Sequence, residues 1–408
     1  MKRSVGIIIN PIAGLGGRVG LKGSDGADTV DKALALGGKP ESTSRAGLAF
    51  EQLLDIKDTV DIFTCGGPMG EDKLVELGFT VTVVCQPESV RTTADDTIRV
   101  VGQSASAYTT SDDNTIRATR WPESVRTTAD DTIEAARRFK ELGVDLILFA
   151  GGDGTARNIC EAVGLDVPVI GIPAGVKIHS AVYAINPRNA GLAAREFLEG
   201  KVRGSKECEV MDINEELFRE GRVNARLYGY LKVPDARSRI QNMKSGGGSD
   251  KGDLAGMAGY VVSQMQPNTI YIIGPGSTTR SIMEDLGLPN TLLGVDVVKD
   301  GKLVASDVSE SQLWELIKDE ALDVRIVVTI IGGQGYIFGR GNQQISPRII
   351  RRVEKKNITV VATASKLIAL NYQPLLVDTG DAELDSEFTG FIEVVIAFGQ
   401  TSFYEVRS

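Results

Sequence analysis

The sequence predicts an α/β protein in which an open, mostly parallel sheet forms an N-terminal domain and a mixed, β-containing domain follows. Short continuous apolar runs such as 5–9 and 146–150 are typical of strands buried on both faces of a parallel sheet. These runs alternate with helix patterns, which implies right-handed crossover connections. The chain has 408 residues, more than one compact core usually holds, so domains are expected at 1–205 and 206–408.

The first domain consists of alternating strand and helix patterns. Strands are predicted at 5–9, 60–64, 80–85, 144–150 and 167–172, and helices at 73–77, 132–142 and 156–163. The pattern over 132–142 is amphipathic, and Gly143 follows it as glycine commonly follows a helix. In such a sheet, ligands bind at the carboxyl ends of the strands, so the loops that follow the strands are the candidate site.

A duplicated segment interrupts this order. Residues 87–98 (PESVRTTADDTI) recur letter for letter as residues 122–133. Two copies are too few for a repeat architecture. The second copy leads into a predicted helix and strand and is expected to be structural, whereas 87–121 is interpreted as a duplicated insertion at the surface. An artefact of the sequence is the alternative explanation, and no functional role is expected.

The second domain combines strand and helix patterns. Strands are predicted at 222–233, 269–273, 326–331 and 358–362, a helix at 253–265, and two final strands at about 388–406. The final strands could return to the first domain. The glycine- and serine-rich stretch 245–252 predicts a flexible linker or loop tip.

Charge and composition exclude several classes of partner. The net charge is −9, from 45 basic and 54 acidic residues, which argues against a nucleic-acid polymer or an anionic membrane as partner. No apolar run has the length of a membrane span, and the first residues lead into a strand pattern rather than a signal sequence, so a cytoplasmic location is expected.

The cysteines and the histidine limit the possible metal and redox chemistry. The four cysteines are scattered without CxxC spacing and are expected to be reduced thiols: Cys65, Cys85, Cys160 and Cys208. The chain has one histidine, His179, which excludes a His-rich metal site.

The run 146–155 (LILFAGGDGT) carries the most informative motif. Its backbone N–H groups and the Thr155 hydroxyl can contact phosphate oxygens at a helix N-terminus, which makes Gly151, Gly152, Gly154 and Thr155 the predicted phosphate-binding residues. A carboxylate among phosphates repels them, so Asp153 is expected to hold a metal ion or a hydroxyl about to attack, and it is the predicted catalytic residue. The alternative is a tight turn with an N-cap threonine and no ligand.

Two further loops of the first domain supply candidate binding residues. Asn10 and Gly14 lie in a glycine-rich loop after the first strand, where Asn10 either fixes the backbone or contacts a nucleotide. After the strand at 167–172, Lys177 suits phosphate charge, and Ser180 could cap a helix or bind a ligand oxygen. His179 is either a buried, satisfied imidazole or a substrate contact.

Two loops of the second domain are also candidates. Residues 274–279 form either an anion-binding nest before a helix or a plain capped turn. The loop 332–344 is unusually polar and glycine-rich, and its side chains can hydrogen-bond a ribose or a base. The candidate substrate-binding residues there are Gln334, Arg340 and Asn342.

Together these motifs resemble the superfamily of NAD kinases and diacylglycerol-type lipid kinases, and in particular the ATP-NAD kinase-like proteins of archaea and bacteria, a branch that includes acetoin-catabolism X-type proteins. The pieces that carry the resemblance are NPIAGLGG at 10–17, CGGPMG at 65–70, GGDGT at 151–155, IPAGVKIHS at 172–180 and GGQGYIFGRGNQQ at 332–344. It covers the chain apart from the insertion. The resemblance implies a homo-oligomer with the active site between the two domains, Asp153 near the accepting ribose hydroxyl and 151–155 near phosphates.

The predicted activity is transfer of a phosphoryl group from ATP, or from polyphosphate, to a ribose hydroxyl of NAD to give NADP, with Mg²⁺ accompanying ATP. The spacing of the acids singles out no metal ligands. NAD kinases have an asparagine-containing, Leu-Gly-Phe-type loop where this chain has 173–179, so the acceptor is open. The alternatives are a kinase of a small polyol, sugar or lipid hydroxyl, and a non-catalytic NAD- or ATP-binding regulatory protein.

Overall fold

The structure is a computed structural model that describes residues 2–17, 19, 27–87, 99–101, 127–175, 178–213, 225–236, 239–240, 251–331, 334–370 and 373–408. The chain divides into two compact units. The first holds the described residues up to Ile240, apart from Gly16, Gly17 and Val19, and the second holds those from Lys251 onward. Most of the insertion, most of the expected linker at 245–252, and Lys177 lie outside the described residues.

The first unit is built on a sheet whose described strands follow the order β4-β3-β2-β1-β5-β6. The strands are β1 (Arg3–Ile9), β2 (Val60–Cys65), β3 (Val81–Cys85), β4 (Arg99–Val101), β5 (Leu146–Gly151) and β6 (Val169–Pro173). All neighbouring pairs are parallel except β3 with β4. Every residue of β5 and β6 is buried, as expected for strands covered on both faces. The predicted open, mostly parallel sheet is confirmed.

Helices connect these strands. They are α1 (Ala27–Ala35), α2 (Ser42–Phe50), α3 (Glu71–Glu76), α4 (Ala129–Leu142), α5 (Asp153–Val163) and α6 (Pro187–Leu198). The second copy of the duplicated segment contains the start of α4, where Thr128 and Asp131 form a reciprocal capping box. Gly143 ends α4 in the left-handed conformation at φ 68°. The second copy is therefore structural, as predicted, and Arg99–Val101 of the insertion forms an antiparallel edge strand.

A two-stranded antiparallel ribbon, β7 (Ser205–Ile213) and β8 (Ala225–Pro234), belongs to the first unit. Cys208, Val210, Leu231 and Val233 are buried in the same apolar core as the parallel sheet. The units therefore divide after this ribbon, whereas the sequence placed the boundary at 205/206. The reason is that the ribbon contributes buried apolar side chains to the core of the first unit.

The second unit contains a mixed sheet whose described strands follow the order β11-β10-β9-β12-β14-β16-β17-β15-β13. The strands are β9 (Ile270–Ile273), β10 (Asp296–Lys299), β11 (Lys302–Ala305), β12 (Val324–Thr329), β13 (Tyr336–Phe338), β14 (Ile358–Val361), β15 (Leu375–Val377), β16 (Gly390–Ala397) and β17 (Gln400–Arg407). The final pair forms an antiparallel hairpin within this sheet. The last strands therefore belong to the sheet of the second unit.

Helices cover both faces of the second sheet. They are α7 (Lys251–Ser263), α8 (Ser277–Asp285), α9 (Glu310–Ile317), α10 (Pro347–Val353), α11 (Ala364–Ile368) and α12 (Ala382–Phe388). Ile326 and Val328 of β12 point into one apolar cluster, and Val327 between them points into another. Alternate residues of a strand face opposite sides, so this sheet has a core on each face. Among the described helices, none combines the length and the apolar character required to cross a membrane.

The cysteines differ from the expectation. Cys65 at the end of β2 and Cys85 at the end of β3 form a disulfide with a Cα–Cα distance of 4.9 Å, so the prediction of reduced thiols is wrong for this pair. The strands bring the two residues together, which spacing along the chain could not show. Cys160 and Cys208 are free, and burial raises the pKa of both thiols.

A prediction concerns Gly6, which lies in β1 beneath the ring of Phe139 from α4. A Cβ at position 6 would lie 2.3 Å from Phe139 Cδ2. We expect Gly6→Ala to lower the free energy of unfolding by about 1–3 kcal/mol because the core becomes overpacked. The check is urea denaturation in a double-mutant cycle with Phe139→Leu. If the effects of the two changes on the free energy of unfolding were additive, the proposed clash would be contradicted.

A second prediction concerns Asp381, the N-cap residue of α12. Its carboxylate accepts hydrogen bonds from Arg351 Nη1 (2.6 Å) and from the Leu384 N–H (3.1 Å). The Arg351 guanidinium is the main cause that lowers the pKa of Asp381 from 3.8 to about 2. Because the folded-state pKa is depressed, the stabilisation is present above about pH 4 and is lost as the pH falls towards 2.

Asp381→Asn keeps a capping oxygen and loses the charge. We expect this variant to be less stable than the parent at pH 7, with a difference that shrinks as the pH falls through the interval from 4 to 2. Urea denaturation at a series of pH values measures it. A difference that stays constant across this interval would show that the ionised carboxylate contributes nothing.

Candidate active site

The order of the strands places the candidate site at a topological switch point. β1 has β2 on one side and β5 on the other. The chain continues from β2 to β3 on the first side and from β5 to β6 on the second, so these two connections run in opposite directions. In open α/β sheets, ligands bind in the crevice outside the carboxyl ends of such strands. The loop that begins at Asn10 follows β1, and the turn around Asp153 follows β5. Two of the predicted motifs therefore flank this point.

Helix α5 begins earlier than the sequence indicated. Gly152 is the N-cap residue, Asp153 is the first helical residue, and Gly154 and Thr155 complete the first turn. The helix was predicted from residue 156 with Thr155 as its cap, and both expectations are wrong because the glycines allow the helix to start within the motif. An acid in the first turn interacts favourably with the helix dipole, and the first-turn N–H groups can bind an anion.

The Asp153 carboxylate is held by the loop that follows β6. Its Oδ2 accepts from the His179 N–H at 2.8 Å and lies 3.3 Å from His179 Nδ1. Its Oδ1 accepts from the Ser180 N–H at 3.0 Å. The Asp153 side chain is 13% exposed. The two main-chain donors therefore orient the carboxylate at the N-terminus of α5.

Glycines allow three loops to lie backbone against backbone. A Cβ on Gly175 would lie 2.7 Å from the Cα of Gly152, and a Cβ on Gly14, at φ +83°, would lie 2.4 Å from the Ala174 oxygen. The N–H groups of Ala174 and Gly175 both donate to the Gly151 oxygen at 3.0 Å. The loops after β1, β5 and β6 therefore converge, and a side chain at these positions would separate them.

Asn10 joins the first of these loops to α5. Its Nδ2 donates to Thr155 Oγ1 at 3.0 Å, and its own N–H donates to the Ala150 oxygen at 2.9 Å. Its Oδ1 accepts from the Ile12 N–H at 3.3 Å. These bonds tie the loop after β1 to β5 and to the first turn of α5. Thr155 is buried, and its hydroxyl accepts the bond from Asn10.

Ser180 and His179 are both buried. The Ser180 hydroxyl accepts from the Met211 N–H of β7 at 3.0 Å, so it joins the loop to the ribbon and does not cap a helix. The next helix, α6, is capped by Asn186. His179 lies beside Asp153, and its position near a predicted catalytic group is compatible with either role considered for it.

Sequence reasoning missed two residues at this site. Gly175 was quoted only as part of a motif, yet it permits the approach of the β6 loop to Gly152. The hydroxyl of Tyr183 donates to the Gly152 oxygen, and its ring lies against Gly171, where a Cβ would be 2.4 Å away. The repeated glycines could have indicated Gly175, whereas no local signal pointed to Tyr183.

The other candidates belong to the second unit or lie outside the described residues. Lys177 is outside the described residues. Gln334, Arg340 and Asn342 are buried in the second unit. The Arg340 guanidinium lies 4.6 Å from the centroid of the Tyr336 ring.

Asn342 has a structural role in the loop. Its Nδ2 donates to the Ile337 oxygen at 2.8 Å, and its Oδ1 accepts from the Gly339 N–H at 3.1 Å. These bonds close the turn after β13. Within the described part of the chain, no three His, Cys, Asp or Glu side chains come together as a metal site.

A prediction follows for Gly175. We expect Gly175→Ala to lower the free energy of unfolding by about 1–3 kcal/mol, because the added Cβ meets the Gly152 backbone and no side chain can move away. Hydrogen exchange at the His179 and Ser180 amides, which donate to Asp153, should become faster. The control is Gly204→Ala, whose Cβ would meet its nearest atom at 3.9 Å. Unchanged exchange in the Gly175 variant would contradict the tight approach.

Two family models match the chain. Residues 5–202 match the ATP-NAD kinase N-terminal domain, and residues 267–406 match the ATP-NAD kinase C-terminal domain. No curated protein and no solved structure matches the chain. The two matches cover most of the chain and lie in consecutive order, and the first contains the three converging loops. The chain therefore belongs to the ATP-NAD kinase family and is an ATP-dependent kinase.

Proposed function

We propose that the chain transfers the terminal phosphoryl group of ATP to a ribose hydroxyl of NAD, giving NADP and ADP. The observation that carries this proposal is the oriented Asp153 carboxylate at the N-terminus of α5, where three glycine-bearing loops converge. A carboxylate beside an anion-binding helix end suits a reaction that joins a hydroxyl to a phosphate. The matches to both kinase domains support the same reaction class.

Asp153 is proposed as the base that accepts the hydroxyl proton. Among the described residues, its Oδ1 accepts one hydrogen bond, from the Ser180 N–H. An ionised carboxylate oxygen has room for a second donor. As the ribose oxygen forms its bond to the γ-phosphorus, the bond from that phosphorus to the ADP oxygen breaks, and the hydroxyl proton passes to Asp153. His179 is proposed as a positioning residue because its main chain and its ring both contact Oδ2.

The phosphate-binding role is assigned to the first turn of α5. The N–H groups of Asp153, Gly154 and Thr155 lie at the positive end of the helix dipole. Gly152 allows the Gly175 backbone to approach closely, and Gly151 leaves room for the Thr155 side chain, since a Cβ at position 151 would lie 2.3 Å from Thr155 Oγ1. Asn10 and Gly14 are proposed to shape the same loop cluster, and Lys177 to supply an auxiliary positive charge. Ser180 is proposed to hold the β6 loop in place through its bond to β7.

Mg²⁺ is proposed to accompany ATP. This ion is usually held by one or two carboxylates together with substrate phosphates, rather than by a dedicated acidic cluster. The described site offers the Asp153 carboxylate, which is one ligand of that kind. When bound, Mg²⁺ neutralises charge on the transferred phosphate.

Further parts of the proposal rest on the sequence. Gln334, Arg340 and Asn342 are proposed to form or shape a substrate-binding loop, with Asn342 acting through the turn that it closes. Polyphosphate is kept as an alternative donor. A homo-oligomer in the cytoplasm is the proposed state of the protein.

The test is a coupled assay in which an NADP-specific dehydrogenase reports NADP formed from NAD, ATP and Mg²⁺. We expect the parent to form NADP and Asp153→Asn to reduce kcat by about 10²–10⁴-fold. The matched control is Asp166→Asn, since the Asp166 side chain is 65% exposed and pairs with Lys140. It should retain the parent rate. The melting temperature and the NAD affinity of each variant are compared with those of the parent to test whether the fold and the binding site persist.

The other outcomes separate the remaining candidates. ADP release that depends on an added polyol, sugar or lipid, without NADP formation, would identify a different acceptor. NAD and ATP binding without any product would identify a regulatory protein. If Asp153→Asn formed NADP at the rate of the parent, Asp153 would not be the catalytic base.

A further inference from the structure

The ends of β2 and β3 contain an irregular pairing that brings two cysteines together. Thr64 pairs with Val83, and the next residue, Cys65, pairs with Cys85. Val84 is therefore passed over in the ladder. Without this bulge, Cys65 would lie opposite Val84. Bulges of this kind commonly re-aim a side chain at the end of a strand.

The strand pairing itself places the two cysteines side by side. The Gly66 N–H donates to the Cys85 oxygen at 2.9 Å, which continues the ladder past both cysteines. The Cα atoms are 4.9 Å apart, within the usual range for a disulfide. Because main-chain hydrogen bonds set this distance, the same backbone accommodates the dithiol form.

The two cysteines differ in their exposure to solvent. Cys65 is 1% exposed, whereas Cys85 is partly exposed among the described residues. Exchange requires a thiolate to reach one sulfur of the bond. Because Cys85 is the more exposed residue of the pair, its sulfur is taken as the one attacked and Cys65 as the buried leaving group.

We propose that Cys65 and Cys85 form a reversible thiol–disulfide exchange site, whose co-reactant is a dithiol or its cyclic disulfide. One thiolate of the co-reactant attacks Cys85 Sγ, and the bond to Cys65 Sγ breaks to release the Cys65 thiolate, which takes up a proton. The second thiol of the co-reactant then loses its proton and attacks the co-reactant's sulfur in the mixed disulfide. This displaces the Cys85 thiolate, which takes up a proton. The protein gains two thiols, and the co-reactant becomes a cyclic disulfide.

The exchange changes how the turn after β2 is held. The disulfide joins β3 to β2 directly before the turn that begins at Gly66. The Gly67 N–H in this turn donates to Glu71 Oε2 at 2.9 Å, so the turn is also held from α3. Reduction leaves the ladder and the bond to Glu71, and removes the covalent link between the strands.

The test counts thiols in the variant Cys160→Ser/Cys208→Ser, which keeps the pair and removes the two free cysteines. The folded protein is equilibrated in anaerobic mixtures of reduced and oxidised dithiothreitol, quenched with acid, and labelled with a maleimide in denaturant. We expect intact mass to show zero labels at the oxidised end and two at the reduced end, with conversion in one two-thiol step. The transition should be reversible from both directions.

Peptide mapping identifies the bond. Tryptic cleavage after Lys57, Lys73 and Arg91 places Cys65 and Cys85 in separate peptides, 58–73 and 74–91. These should be joined in the oxidised sample and separate in the reduced one. We also expect the melting temperature to fall by about 5 °C on reduction, because the link over a 20-residue separation is lost.

Three results would overturn the proposal. Two labels in every mixture would show that the thiols do not pair, and zero labels in every mixture of the folded protein would show a permanent bond. A covalent dimer on a non-reducing gel would assign the bond to two chains. None of these readouts uses kinase activity, so failure of the proposed function leaves this test unaffected. The parent chain, carried in parallel, shows whether the two serine substitutions disturb the fold.

Discussion

The close approach of three backbones at the carboxyl ends of β1, β5 and β6 is the constraint on which the site depends. Gly14, Gly152 and Gly175 lie where an added Cβ would meet main-chain atoms. A clash with main chain cannot be relieved by rotating a side chain, so these positions need glycine. The approach lets Ala174 and Gly175 donate to the Gly151 oxygen, and it brings the next loop within reach of Asp153. The glycines therefore help to position the Asp153 carboxylate as well as the three backbones.

Asp153 consequently has two connected roles in the first unit. Its carboxylate organises the β6 loop through the His179 and Ser180 amides, and the same bonds hold it at the helix end that is proposed to bind phosphate. A carboxylate fixed in advance needs little reorganisation when a hydroxyl arrives, which is the basis of electrostatic preorganisation. Asn10 and Tyr183 support the arrangement from the side, through Thr155 and the Gly152 oxygen. The polar groups around the motif thus form one connected network.

The second unit shows why a polar loop does not reveal its role from its composition. From the sequence, the Asn342 side chain was a candidate to hydrogen-bond a ribose. In the structure, both of its polar atoms bond to the main chain of its own turn. Arg340 lies over the Tyr336 ring. A buried amide or guanidinium needs partners inside the protein, since an unpaired polar group is costly. Polar residues that close a loop and polar residues that bind a ligand therefore have the same sequence signature.

The sequence by itself determined the features that depend on local patterns. Continuous apolar runs predicted β1, β5 and β6, amphipathic spacing predicted α4, and glycines after strands predicted the loops of the site. Only the tertiary structure decided the contacts between distant segments: Asn10 with Thr155 across 145 residues, Asp153 with His179 across 26, and Cys65 with Cys85 across 20. It also decided that the β7–β8 ribbon belongs to the first unit. Such contacts depend on sheet order, register and bulges, which are set by how segments pack together and leave no local signal in the chain.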